Sequence, residues 1–258
     1  MLELRYPFHS KMLVILRTHW LSVSRDPFQL VWSIIFPLLA FGVYSFRFGP
    51  RTLHVTSFDN RILSIIPYLS CVAFSGVFYG VALSVKSMIN SGILETFATG
   101  VSSRLASIAS ILLIRIAITS LSSILLIAAI SCLDHSITLL TYIRLIAGGL
   151  LGSTLIAIYS LPVALLFRSQ MTLNIALQGF SLLSFSMFFA TQSSAADSTW
   201  LYLITYLNPI SWVFCIYKLT CSLSTPSDEM VILVAFPLAI CCLLLFIDRL
   251  TRAKNPAW

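Results

Sequence analysis

Apolar residues in this chain collect in long blocks separated by short polar intervals. Such blocks cover roughly 28–46, 64–84, 107–132, 145–167, 173–191 and 230–247. Each is close to the length of about 20 residues that a helix needs to cross the hydrocarbon core. The pattern predicts an all-α integral membrane protein, a single transmembrane domain over 1–258 with six transmembrane helices. Residues 1–24 read differently. Lys11, Thr18 and Arg25 recur every seven residues on one helical face, with Leu13, Leu16 and Trp20 on another. That strip is expected to lie in the headgroup layer as an interfacial helix, its bases toward phosphate and water. It lacks the continuous apolar core of a cleavable leader, so the first span is expected to direct insertion.

Two polar intervals interrupt the blocks in informative ways. Between the second and third spans, 86–104 contains Gly92-Ile93-Leu94-Glu95-Thr96-Phe97-Ala98-Thr99-Gly100-Val101-Ser102-Ser103-Arg104. Charges and hydroxyls at this density would be left unpaired in acyl chains, so the interval belongs in water or at the membrane surface. The second interval, 192–222, carries Trp200, Tyr202, Tyr206, Trp212 and Tyr217, rings expected at the membrane–water boundary. Asn208-Pro209 divides it in two. The expectation is a pair of short re-entrant helices that dip into the outer leaflet. Pro37, Pro67, Pro162 and Pro237 fall inside four spans, where proline removes a backbone donor and bends the helix.

Composition sharpens the class. The chain is 58% hydrophobic and 10% charged, and its mean hydropathy is +0.95. A formal net charge of +7 invites a nucleic-acid reading, but the basic residues flank the apolar blocks as membrane topology requires. With the N-terminus in the cytoplasm, eleven Lys and Arg lie inside and five outside (Arg47, Arg51, Arg61, Arg144 and Lys218). The expected location is therefore the plasma membrane, the inner membrane in a bacterium, multi-pass with both termini cytoplasmic. The outer cluster Arg47, Arg51 and Arg61 has no explanation in this scheme. Arg115 lies about 12 Å into the third span and is expected to snorkel to the headgroups.

Catalytic and metal-binding signatures are missing. The chain has no phosphate-loop motif, no H-E-x-x-H helix, no Gly-x-Ser-x-Gly elbow and no clustered intramembrane carboxylates. The six cysteines show no metal-ligand spacing; Cys215 and Cys221 are either small buried hydrophobes or an outer disulfide. Asn174, Gln178, Ser181 and Ser184 form a polar stripe along the fifth span, read either as pathway lining or as interhelical glue. Tyr68, Ser75 and Tyr79 form a weaker stripe on the second.

Taken together, three motifs resemble the membrane subunits of type-2 ABC transporters, the ABC-2 permease family. The family's Gly-Thr-Leu-Glu…Thr-Pro-Val-Ser stretch is matched at Gly92, Leu94, Glu95, Thr99, Val101 and Ser102, with Ile93 and Gly100 departing from it. Arg25-Asp26-Pro27 with Pro37 resembles the start of the family's first span. Asn208, Pro209 and Trp212 resemble its outer re-entrant element. The resemblance implies that 86–104 is a coupling helix, with Phe97 and Arg104 adding to its contact with a separate ABC ATPase subunit. It further implies a dimer with a second permease copy or paralogue. ATP and Mg would sit on the partner subunit and no cofactor in this chain. The implied function is export of a hydrophobic or amphipathic drug, antibiotic or lipid. Export of a polysaccharide or glycolipid is the alternative within transport. A membrane-embedded enzyme or a non-transporting assembly or immunity protein is the alternative outside it.

Overall fold

A computed structural model of the chain describes residues 16, 17, 20, 42, 58–91, 101–133, 138–193 and 205–252. The regular structure among these residues is helical throughout. Helix α1 spans Phe58–Asn90, α2 Val101–Leu133, α3 Leu139–Ser160, α4 Val163–Leu166, α5 Gln170–Ser193, α6 Pro209–Thr220 and α7 Pro226–Arg252. Five stretches are long and apolar enough to cross a membrane: Ile62–Asn90, Ala106–Ser131, Leu139–Leu166, Gln170–Ala190 and Pro226–Ile247. They coincide with the second to sixth blocks read from the sequence. The first block, 28–46, lies outside the described residues apart from helical Gly42.

Local chemistry explains several boundaries. Thr138 caps α3, its hydroxyl accepting from the Thr141 amide at 3.3 Å. Pro162 cannot extend α3, and the chain turns at Leu161–Pro162 before the single turn of α4. Pro67 and Pro237 instead lie within α1 and α7. Helix α1 runs on to Asn90 and α2 begins at Val101, so both ends of the expected 86–104 interval are helical, while 92–100 lies outside the described residues. Lys86 is therefore a residue of α1, 6% exposed, and does not bracket a loop. Leu16 packs against Ile114 and Ile118 of α2, whereas the neighbouring Arg17 is exposed. Trp20, expected on the same face as Leu16, is 50% exposed, and the rest of the first segment lies outside the described residues.

Helix α1 is the hub. Ile66, Leu69, Ala73, Phe74, Val77, Val81, Ala82 and Val85 are wholly buried along it. It packs against α2, α3, α5 and α6. The α1–α2 contact is close because Gly76 and Gly80, one turn apart, leave room for Thr119 and Arg115. A methyl group on Gly76 would meet Thr119 Oγ1 at 2.7 Å, and one on Gly80 would meet Arg115 Cδ at 2.8 Å. Rings then tie four helices together. Phe180 and Phe185 of α5 meet Phe74 and Phe78 of α1, Phe78 stacks on Tyr159 of α3, and Tyr159 meets Trp212 of α6 edge-on at 5.1 Å.

Helix α6 is the most deeply enclosed element. Its twelve residues extend about 18 Å, too short to cross about 30 Å of hydrocarbon. Every residue from Pro209 to Tyr217 is buried, and the helix packs on α1, α3, α5 and α7. Trp212 and Tyr217, expected at the water boundary, are 1% and 0% exposed and belong to the core. Close approach to α3 depends on Gly148, Gly149 and Gly152. Added methyl groups there would strike Tyr217 Cδ1, Tyr217 Oη and Val213 Cγ1 at 2.7, 2.8 and 2.7 Å. Small residues at this spacing let membrane helices approach backbone to backbone.

Gly152→Leu should force α6 away from α3 and lower stability by roughly 1–3 kcal/mol, as overpacking of a filled core does. Gly179→Leu, at a helical glycine with nothing within 4 Å, should leave it unchanged. Denaturant unfolding of both variants in micelles checks the contrast. Equal behaviour would remove the glycine face as the seat of α6.

Candidate functional site

The region around α6 gathers more of the expected functional residues than any other. Asn208 is 5% exposed and works in two directions. Its Oδ1 accepts from the Ile210 amide at 3.0 Å, capping α6, and its Nδ2 donates to the Ser184 carbonyl of α5 at 2.9 Å. Pro209 follows at the first helical position, where its missing amide costs nothing. Trp212 Nε1 donates to the Tyr206 carbonyl at 2.7 Å, which satisfies the one polar atom of a buried indole.

The C-terminal end of α6 is closed with equal completeness. Ser222 sits in the left-handed region at φ 61°. The Ser222 amide donates to the Leu219 carbonyl at 3.1 Å and the Leu223 amide to the Lys218 carbonyl at 2.8 Å. These two bonds are the Schellman closure, which usually employs glycine at the left-handed position. Because Gly148 faces Thr220 and Tyr217 while Gly152, one turn further along α3, faces Val213, α6 runs antiparallel to α3. It rises from the bundle's middle depth to the end where α1, α3 and α7 begin.

At that end Lys218 and Asp228 join α6 to α7. Lys218 Nζ lies 2.5 Å from Asp228 Oδ2 and 5.5 Å from the centroid of Phe214. Lys218 occupies the last turn of α6 and Asp228 the first turn of α7, so each charge opposes the partial charge of its own helix end. The Thr225 amide and hydroxyl both donate to Asp228 Oδ2 at 2.7 Å, the carboxylate-to-N-cap half of a capping box around Pro226. Cys215 Sγ lies 3.6 Å from Asp228 Oδ1. Cys215 and Cys221 are both free and buried, so the outer disulfide is excluded. None of this cluster emerged from the sequence reading, although Thr225-Pro226-Ser227-Asp228 ahead of an apolar block carries the capping signature.

The polar stripe of α5 does not act as one surface. Asn174 Oδ1 accepts a short hydrogen bond from the Tyr79 hydroxyl, which unites the fifth-span stripe with the weaker one on α1. Ser184 is buried beside α6, and Ser181 is half-buried. Gln178 alone is exposed. Arg115 corrects a second expectation. It is 7% exposed, packs on Gly80 and donates to Ser84 Oγ at 2.8 Å, so it turns into the bundle and does not snorkel. Gly80 leaves the space that makes this possible.

Of the expected coupling residues, Gly92, Leu94, Glu95, Phe97 and Thr99 lie outside the described residues. Val101, Ser102 and Arg104 stand in the first turns of α2. Among the described residues no three His, Cys, Asp or Glu side chains converge as a metal site would require. No family model matches the chain, and neither a curated protein nor a solved structure does.

Asn208→Ala removes the α6 cap and its tie to the Ser184 carbonyl of α5, and is expected to cost about 1–3 kcal/mol. Faster thiol labelling of buried Cys221 would report the loosened helix, and unchanged labelling would refute the double role. Ser222→Gly should stabilise the protein by up to about 1 kcal/mol by relieving the left-handed side chain, seen as a higher unfolding midpoint.

Proposed function

We propose that this chain is the permease subunit of an ATP-driven exporter, one half of a pathway for an amphipathic or hydrophobic cargo. The observation that carries the proposal is the place of Asn208-Pro209. It opens a short buried helix, α6, ahead of the last apolar helix, in the order in which ABC-2 permeases carry their re-entrant element. The polar link 91–100 between α1 and α2 agrees in position with a coupling segment. In this reading Glu95 and its neighbours engage an ATPase carried on another polypeptide. Nucleotide and Mg belong to that partner. The orientation with both termini cytoplasmic follows from the distribution of Lys and Arg.

Two further features support the reading. The span windows of α5 and α7 are 22% buried, against 50–56% for α1, α2 and α3. Gln178 lies exposed on α5 among exposed Met171, Ile175, Leu182 and Leu183. An amide facing acyl chains is unsatisfied, whereas a second subunit can hydrogen-bond it. Gln178 thus favours a dimer through α5. The rings of Phe74, Phe78, Tyr159, Phe180 and Trp212 are packed on one another. They fill the core and line no wide tunnel in this conformation, which favours a small amphipath over a long polysaccharide.

Co-purification should recover an ATPase subunit, and Glu95→Arg should weaken that association or uncouple hydrolysis from transport. A cysteine at Ser102 should label from the cytoplasmic side alone. Intact coupling after the charge reversal, or labelling of Ser102→Cys from outside, would falsify the assignment of this link.

A further inference from the structure

A cavity of about 350 Å³ opens between α6, the start of α7 and the first turns of α1. It is at the lower end of the roughly 300–1,000 Å³ found for ligand pockets, a size for a head group rather than a whole lipid. Its walls are of two kinds. Leu63 and Phe214 present hydrocarbon; Ser211, Lys218 and Asp228 present polar atoms.

Hydrogen-bonding capacity on the polar wall is uneven. Asp228 Oδ2 already accepts from Lys218 Nζ and from the Thr225 amide and hydroxyl, and Oδ1 faces the Cys215 thiol. The carboxylate is committed to capping α7 and holding Lys218. Donor capacity is left over. The Lys218 ammonium has three N–H groups, of which Asp228 engages one, while the Phe214 ring face lies to another side. The Ser211 hydroxyl has no hydrogen-bond partner among the described residues, although Ser211 is 2% exposed. The spare N–H groups of Lys218 and the Ser211 hydroxyl are donors for a ligand that supplies acceptor oxygens. The hydrocarbon wall beside it selects a ligand that also carries an apolar part.

We propose that this cavity binds the phosphate or carboxylate head of an anionic amphipath, with Lys218 as charge anchor, Ser211 as hydroxyl donor and Leu63 and Phe214 against its hydrocarbon. The inference deepens the amphipathic-cargo reading and rests on it. In the orientation given above, the cavity lies at the outward end of the bundle, where a released amphipath leaves. Aligned charge-assisted bonds of this kind are each about twice as strong as neutral ones.

The test is titration calorimetry on the intact chain in maltoside micelles with three probes: dihexanoyl phosphatidate, dihexanoylglycerol and inorganic phosphate. Phosphatidate should bind, and removing either its phosphate or its hydrocarbon should weaken binding at least tenfold. Lys218→Gln should weaken phosphatidate at least tenfold, Ser211→Ala several-fold, and Lys218→Arg should retain binding. Lys218→Gln also breaks the tie to Asp228, so Ser211→Ala, which keeps that tie, is the independent readout. Inorganic phosphate binding as tightly as phosphatidate would assign the site to a free anion and overturn the proposal. So would equal binding of dihexanoylglycerol, or an unchanged phosphatidate affinity in either Lys218→Gln or Ser211→Ala. The measurement needs no ATPase. Failure here while an ATPase still co-purifies rejects the cavity alone, and the converse result rejects the exporter reading alone.

Discussion

The contact on which the rest of this bundle depends is the seating of α6 against the glycine face of α3. A helix leaves unpaired amides and carbonyls at both ends, and those of α6 are enclosed by other helices, where water does not replace the missing partners. The sequence resolves that problem locally at each end. Asn208 closes the N-terminus and reaches α5, and the left-handed Ser222 closes the C-terminus. Gly148, Gly149 and Gly152 then admit the helix to a depth at which Val213 and Tyr217 touch the α3 backbone face. Without those glycines the caps would hold a helix that had no place to dock.

Once α6 is seated, it becomes the element through which the other helices communicate. It touches α1, α3, α5 and α7, and the ring contact from Trp212 to Tyr159 and on to Phe78 continues into the hub helix. Its two ends are fixed to different partners: Asn208 to α5, and Lys218 to α7. A displacement of α7 relative to α5 must therefore either tilt α6 or break one of these ties. For a protein proposed to alternate between conformations, this places the coupling in polar contacts at helix ends. Packed apolar cores are bistable but not continuously deformable.

The long apolar blocks were legible because length and hydropathy in a bilayer are nearly sufficient conditions for a spanning helix. Asn208-Pro209 was legible as a helix start for a similar reason, since cap chemistry is local. Residues whose role depends on what faces them were not legible. The stripe Asn174, Gln178, Ser181 and Ser184 shares a helical side in projection, yet one end bonds Tyr79 and the other lies under α6. Arg115 was read against lipid because the sequence does not reveal that Gly80 lies opposite. Trp212 and Tyr217 were read as boundary rings because interfacial and core aromatics have the same composition. The glycine face was available as Gly148-Gly149-x-x-Gly152, but its meaning depends on a partner helix that only the fold supplies.

The polar groups inside the bundle follow a common logic that separates low-cost from expensive burial. Lys218 and Asp228 meet where one helix ends and the next begins, so backbone dipoles and the Thr225 donors share in stabilising the charges. Arg115 keeps a hydroxyl partner at Ser84. The buried serines Ser70, Ser110, Ser122 and Ser160 donate to the carbonyl about one turn back, which makes them nearly neutral passengers. The hydroxyls of Ser123, Ser153 and Tyr217 depart from this rule. Ser123 neighbours the Tyr217 phenol, yet the pair falls short of hydrogen-bond geometry, and Ser153 is likewise unpartnered. All three belong to α2, α3 and α6, where the glycines permit the closest approach. An unsatisfied buried hydroxyl costs about 1–3 kcal/mol, so the close packing of these three helices is held against a polar penalty.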